Sequence, residues 1–286
     1  MTVVVAFHCS DGIVIAADSM ITPTMGNVSV GHHHGQKIQI LAGQQVSAFA
    51  GDQGQASRFN IMANGGFGPY GDGAGHPIDY PIALTTAVLS DFAMTRIIGN
   101  IGVNMILAFP HGESHQCCVF EGNLLQPRLL DADHYYVALG SGKLSADPFL
   151  RFLSDTFCQN TQPTVREAIF LSTWVIQHVI DTNPGGCADP IRVSILEKDT
   201  AGALSARNLS QDEIAEHKEA IESARQTLRG WRSEISGSTS GEASTPPPAP
   251  TGPFLLPQTS DITSEAQVNH PEDEPAENLG QLSQGL

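Results

Sequence analysis

The feature that most limits how this chain can fold is the run of short β-branched segments in its first fifty residues. Val3-Val4-Val5-Ala6-Phe7 and Ile13-Val14-Ile15-Ala16-Ala17 are separated by Ser10-Asp11-Gly12. That is a tight turn with glycine where a positive φ is needed. Lys37–Leu41 and Gln45–Ala50 flank Ala42-Gly43-Gln44 in the same way. Parallel neighbours need a crossover of a dozen or more residues, and these connections are too short for one. The pattern predicts an antiparallel sheet.

Beyond Gly51 the period changes. Helices are predicted over Gln53–Ala63 and Pro81–Ile97, with a glycine-rich loop, Gly65–Pro77, between them. Strands return at Val103–Phe109, Gln116–Glu121 and Tyr135–Leu139. Helices follow at Gly142–Thr156 and Thr164–Asp181. In the second, Thr164 and Glu167 have capping-box spacing. Ile191–Glu197 closes the series as a strand. Strands, two helices, strands, two helices and a strand describe an α+β domain in which two antiparallel sheets stack between helical layers.

The last third differs in kind. Ile214, His217, Ile221, Ala224, Leu228, Trp231 and Ile235 fall on one a/d stripe. This predicts a helix that docks on its own chain or on a sister subunit. Residues 236–286 hold eight of the eighteen prolines, seven acidic residues and no lysine or arginine. Such a segment cannot bury enough surface to order itself, so a disordered tail is expected. The division is then 1–200 for the main domain, 201–235 for an extension with an amphipathic helix, and 236–286 for the tail.

Net charge is −16, which argues against a nucleic-acid partner, since phosphate binding needs a basic surface. It also disfavours anionic membranes. No apolar run reaches the roughly 18 residues of a membrane span, and a secretory leader is not expected. Five cysteines without repeated spacing fit a reducing cytoplasm. They read as small apolar fillers, not as a metal or redox set. His32-His33-His34 is the one run that invites a metal, but consecutive side chains diverge, so a solvated loop is expected there.

The chemistry starts at Thr2. A threonine hydroxyl needs a base to become a nucleophile. Once Met1 is removed, the α-amine of Thr2 supplies one, with a reference pKa of about 7.7–8.0. A nearby buried cation would hold that amine neutral, and a buried cation needs a carboxylate. Lys37, the only lysine before Lys143, and Asp18 fit those parts.

These residues, in this order, resemble the opening of a proteasome β-type subunit: Thr2 before an apolar strand, Asp11-Gly12, Ala16-Ala17-Asp18-Ser19, Thr22, Lys37 and Gly51. The chain is similar to HslV-like N-terminal-nucleophile (Ntn) peptidases, and within them to the betaproteobacterial proteasome homologue, BPH. The resemblance covers about Thr2–Leu196. It implies the four-layer αββα Ntn-hydrolase sandwich and a threonine peptidase. It gives Thr2 the role of nucleophile, with Asp18, Lys37, Ser141 of Gly140-Ser141-Gly142 and Asp181 in support. It gives Gly51 the oxyanion, Thr22 the substrate backbone and Phe49 the pocket for the side chain before the cut. No cofactor or metal is implied. Implied partners are unfolded polypeptide, an ATPase unfoldase and copies of the same chain, about fourteen in two stacked rings. Pro184 stands where many members have serine, and Met20 where an arginine is common. Two rival readings share the residues: a catalytically weak or non-catalytic ring, and an Ntn amidase acting on small molecules.

Overall fold

The computed structural model of the chain describes residues 2–25, 28–95, 101–159 and 161–237. The expected tail beyond residue 237 and the end of the helix expected to reach Ile97 lie outside these; residues 236–237, expected to open the tail, instead end a helix. Residues 1–234 form one compact unit. Of the second unit, 235–286, the described residues are the final turn of a helix.

The opening hairpins form where the turns place them. Strand β1 (Val4–His8) pairs antiparallel with β2 (Gly12–Ala17), Val4 facing Ala17 and His8 facing Ile13. Two short ladders follow, β3 (Met20–Ile21) with β6 (His33–His34) and β4 (Thr24–Met25) with β5 (Val28–Ser29). Strand β7 (Ile38–Leu41) then pairs with β8 (Gln45–Gly51). Helices α1 (Gln53–Gly66) and α2 (Asp79–Met94) come next, and strands β9 (Val103–His111), β10 (Ser114–Glu121), β11 (Gln126–Leu129) and β12 (Tyr136–Leu139) return. Helices α3 (Lys143–Leu153) and α4 (Val165–Thr182), strands β13 (Arg192–Lys198) and β14 (Leu204–Asn208), and helix α5 (Gln211–Gly237) complete the order. The helix expected over Gly142–Thr156 ends at Leu153, and a π turn, Ser154–Cys158, continues it.

Two five-stranded sheets result, ordered β12-β1-β2-β13-β14 and β11-β10-β9-β8-β7. Every residue of β2 is buried, and so are Val4–Phe7 of β1, so the first sheet is covered on both faces. Alternation along β1 divides its side chains. Val4 and Ala6 join Val46, Ala48, Ile106 and Ala108 of the second sheet in one apolar cluster. Val3, Val5 and Phe7 join Leu150 of α3 and Ile169 and Ile176 of α4 in another. A third cluster sets Phe59 of α1 and Leu84, Val88 and Phe92 of α2 against Met105, Leu107 and Phe109.

The capping box at α4 forms as its spacing predicts: Thr164 N donates to Glu167 Oε2 at 2.7 Å and Glu167 N to Thr164 Oγ1 at 3.4 Å. Helix α5 opens the same way, Ser210 N donating to Glu213 Oε2 at 2.7 Å. Its stripe is used unevenly. Ile214 and Ile221 are buried against the α3–α4 side, whereas Leu228 and Trp231 are exposed.

His8, His178 and His217 are partly enclosed: the His8 ring packs tilted against His115, the His178 ring tilted against Phe149, and His217 lies on the buried side of α5. Burial lowers the pKa of each, so below the ordinary value of about 6.5 the unfolded chain binds more protons than the folded one. Their contribution is therefore complete above that pH and is lost as pH falls through the folded values. The urea midpoint is expected to be lower at about pH 5.5 than at about pH 7.5. Equal midpoints would refute the assignment.

Candidate active site

The site is built from the ends of β1, β2 and β8. Asp18 directly follows β2, is fully buried, and accepts three hydrogen bonds. Its Oδ1 takes Lys37 Nζ at 2.7 Å and Val3 N at 3.0 Å, and its Oδ2 takes Met20 N at 3.0 Å. A carboxylate out of water needs that many donors, one of them charged. Lys37 is 3% exposed. Burial lowers the pKa of its ammonium, and the Asp18 carboxylate beside it opposes that shift.

Thr2 lies just before β1, tethered by its neighbours. Its N–H donates to Ser141 Oγ at 3.2 Å, and its carbonyl accepts from Gly142 N at 3.0 Å. Gly140 must be glycine for this approach: its φ is +87°, and a Cβ there would lie 2.2 Å from Thr2 O.

Gly51 closes β8 with φ +118°. Two residues earlier, Phe49 N donates to Lys37 O at 3.1 Å. Strand period 2 aims the Gly51 N–H to the same side, where β7, which begins at Ile38, offers no residue opposite. Asp52 then caps α1, its Oδ1 accepting from Gln55 N at 2.8 Å.

A cleft of about 760 Å³ is lined by Thr2, Thr22, Lys37, Phe49, Gly51 and Ser141. Six of the eight expected site residues thus line one cavity, with Asp18 bonded beneath it. Thr22 Oγ1 lies 3.1 Å from His32 Nδ1 at the mouth. His32, His33 and His34 are exposed, and among the described residues no His/Cys/Asp/Glu group is placed to hold a metal.

Asp181 is not among the residues that line the cleft; at the last turn of α4 its exposed carboxylate accepts from Gln177 Nε2 at 2.8 Å and Arg225 Nη2 at 3.2 Å. The inward-facing part of that region is the connector that follows. Asn183 Nδ2 donates to Ser145 Oγ at 3.1 Å, Ser19 N to Ala188 O at 3.0 Å, and the Ser19 hydroxyl to Pro190 O. Cys187 is buried close enough to Asp18 and Lys37 to feel both charges, and burial pushes its thiol up to about 11.

Sequence reasoning also missed Glu121 and Lys143 on the cleft wall, 3.8 Å apart. Lys143 follows the Gly140-Ser141-Gly142 turn directly, which was its available signal. Glu121, at the end of β10, had none.

Antiparallel sheets and, among the described residues, five α-helices make an α+β fold. No protein-family model matches the chain, and no curated protein matches it. Among solved structures it is similar to Anbu from Hyphomicrobium sp. strain MC1, with TM-score 0.56 and 17% identity over 80% of this chain and 97% of that one. A mutant of the same Anbu gives TM-score 0.59 and 19% identity over 82% of this chain and 100% of that one. The fold is therefore one shared with Anbu. No described helix is long and apolar enough to cross a membrane.

Proposed function

We propose that this chain is a threonine endopeptidase of the proteasome/HslV-like kind. The observation that carries the reading is the buried Asp18–Lys37 pair, 2.7 Å apart under a cleft that Thr2 and Gly51 also line. A buried lysine at that place costs desolvation and needs a purpose.

The steps follow from the residues. With Met1 gone, the neutral α-amine of Thr2 takes the proton from its own Oγ, which attacks the scissile carbonyl. Lys37 keeps the amine neutral by charge, and Asp18 keeps Lys37 in place. The Gly51 N–H receives the oxyanion, a kind of donor worth roughly 2.7–4 kcal/mol of barrier. The protonated amine then gives its proton to the leaving amine, and an ester remains on Thr2. Water, deprotonated by the same amine, releases the acid. Thr22 and Phe49 would hold the acyl-side chain, and Ser141 would orient the amine.

The apolar clusters on both sides of each sheet support the four-layer αββα arrangement that this chemistry accompanies. Anbu-like architecture supports a homo-oligomer, which we take as about fourteen chains in all, in two stacked rings, acting on unfolded polypeptide in the cytoplasm. An ATPase unfoldase would feed it. Closer kinship with BPH rests on the sequence features alone. A catalytically weak ring is the second reading, favoured by Asp181, whose carboxylate is engaged by Arg225 and not by the cleft.

The test is intact mass after treatment with a threonine-directed epoxyketone. Loss of Met1 and one adduct, absent in Thr2→Ala, is expected. A chain that keeps Met1, or a processed Thr2 that takes no adduct, would overturn the reading.

A further inference from the structure

The connector between α4 and β13 is gripped from two sides. On its inner side Ala188 O accepts from Ser19 N, Pro190 O accepts from the Ser19 hydroxyl, and Cys187 is buried beside Asp18 and Lys37. Its outer side faces α5. Lys218 Nζ meets Asp189 Oδ1 at 2.7 Å, Gln211 Nε2 donates to Ile191 O at 3.2 Å, and Arg225 Nη2 reaches Asp181 at 3.2 Å just before the connector starts. Inner and outer contacts alternate along four residues, 188 to 191. The wall behind the Asp18–Lys37 pair is thus fixed to a helix that follows it by some twenty residues.

We infer that Lys218 and Asp189 are positioning residues for the Asp18–Lys37 pair, acting through the connector, with α5 as the brace. This rests on the peptidase reading for its catalytic part only. Apolar packing of Ile214 and Ile221, in the cluster that also holds Cys187 and Ile191, docks α5, but it does not include Asp189. The polar contacts single out the connector. Exposed ion pairs add little to global stability, so their effect should be local: without them the connector opens while the core stays closed.

The five cysteines of the full chain give a readout independent of catalysis. All are free and buried: Cys9, Cys117, Cys118, Cys158 and Cys187. Alkylation by iodoacetamide, read by peptide mass spectrometry, is expected to rise about tenfold at Cys187 alone in Lys218→Met and in Asp189→Asn. Exchanging the pair, Lys218→Asp with Asp189→Lys, should restore the native rate. No rise at Cys187, or an equal rise at all five, overturns the brace.

The second arm is the pH midpoint of epoxyketone addition to Thr2. Lys37, Asp18 and Cys187 are the titratable groups at the cleft floor, with Asp52, Glu121 and Lys143 on its walls. A nearby cation lowers an amine pKa, so loosening Lys37 should move the midpoint to higher pH in both single variants. An unmoved midpoint with Cys187 opened would overturn the positioning role. Should the native chain take no adduct at all, the peptidase reading fails, and the cysteine arm still decides the brace.

Discussion

Lys37→Met is expected to lower stability by about 3–5 kcal/mol and to abolish adduct formation at Thr2. The pair is 3% and 0% exposed, so Asp18 cannot turn to water when its cation is removed. It keeps two amide donors, Val3 N and Met20 N, which places the loss toward the lower end of that range. The variant separates two functions of one side chain. Adding Asp18→Asn removes the orphaned charge and should recover part of the stability, since an uncharged pair carries less desolvation cost. It should recover none of the labelling, because no cation then faces the Thr2 amine. Urea unfolding and intact mass on the same samples check both halves. A loss below about 1 kcal/mol would mean that the pair behaves as an exposed ion pair, contrary to its burial.

Gly51→Ala is expected to cost about 3 kcal/mol or more and to lower Thr2 labelling in the fraction that still folds. A Cβ at residue 51 would lie 2.0 Å from Gly102 O, and Gly102 accepts from the next amide, Asp52 N, at 2.8 Å. The backbone at φ +118° would have to move, and the amide proposed for the oxyanion would move with it. Gly43→Ala is the control. Gly43 also has a positive φ, +72°, but nothing lies within 4 Å of the added carbon. It should cost only the strain of the left-handed conformation, about 1–2 kcal/mol, with labelling unchanged. Equal effects at the two positions would refute the argument from space.

Much of the fold was legible because the opening hairpins join strands by turns too short for any other arrangement, and because Thr164 and Glu167 mark a helix start by spacing. What escaped was either short or weakly patterned. Strand β11 is Gln126-Pro127-Arg128-Leu129, an edge strand whose proline argues against a strand from sequence alone. Strand β14 pairs with β13 across a five-residue connection, and its exposed Arg207 and Asn208 hide the alternation. At the site, Asp18 and Lys37 were legible because a single lysine among apolar strand positions is conspicuous. The contacts of Asp181 were not legible, because a motif fixes order along the chain, not the direction of a side chain at a helix end. The stripe on α5 likewise named a face without saying where its cover stops, at about Ala224 by burial.

The tethering of Thr2 has a consequence for timing. Its carbonyl is held by Gly142 N, and the following amide by Asp18. Neither contact uses the α-amine, so neither waits on the loss of Met1. On the peptidase reading the catalytic frame is finished before the nucleophile is uncovered, and activation is a single bond cleavage with no refolding attached. Each subunit would then switch on separately and for good.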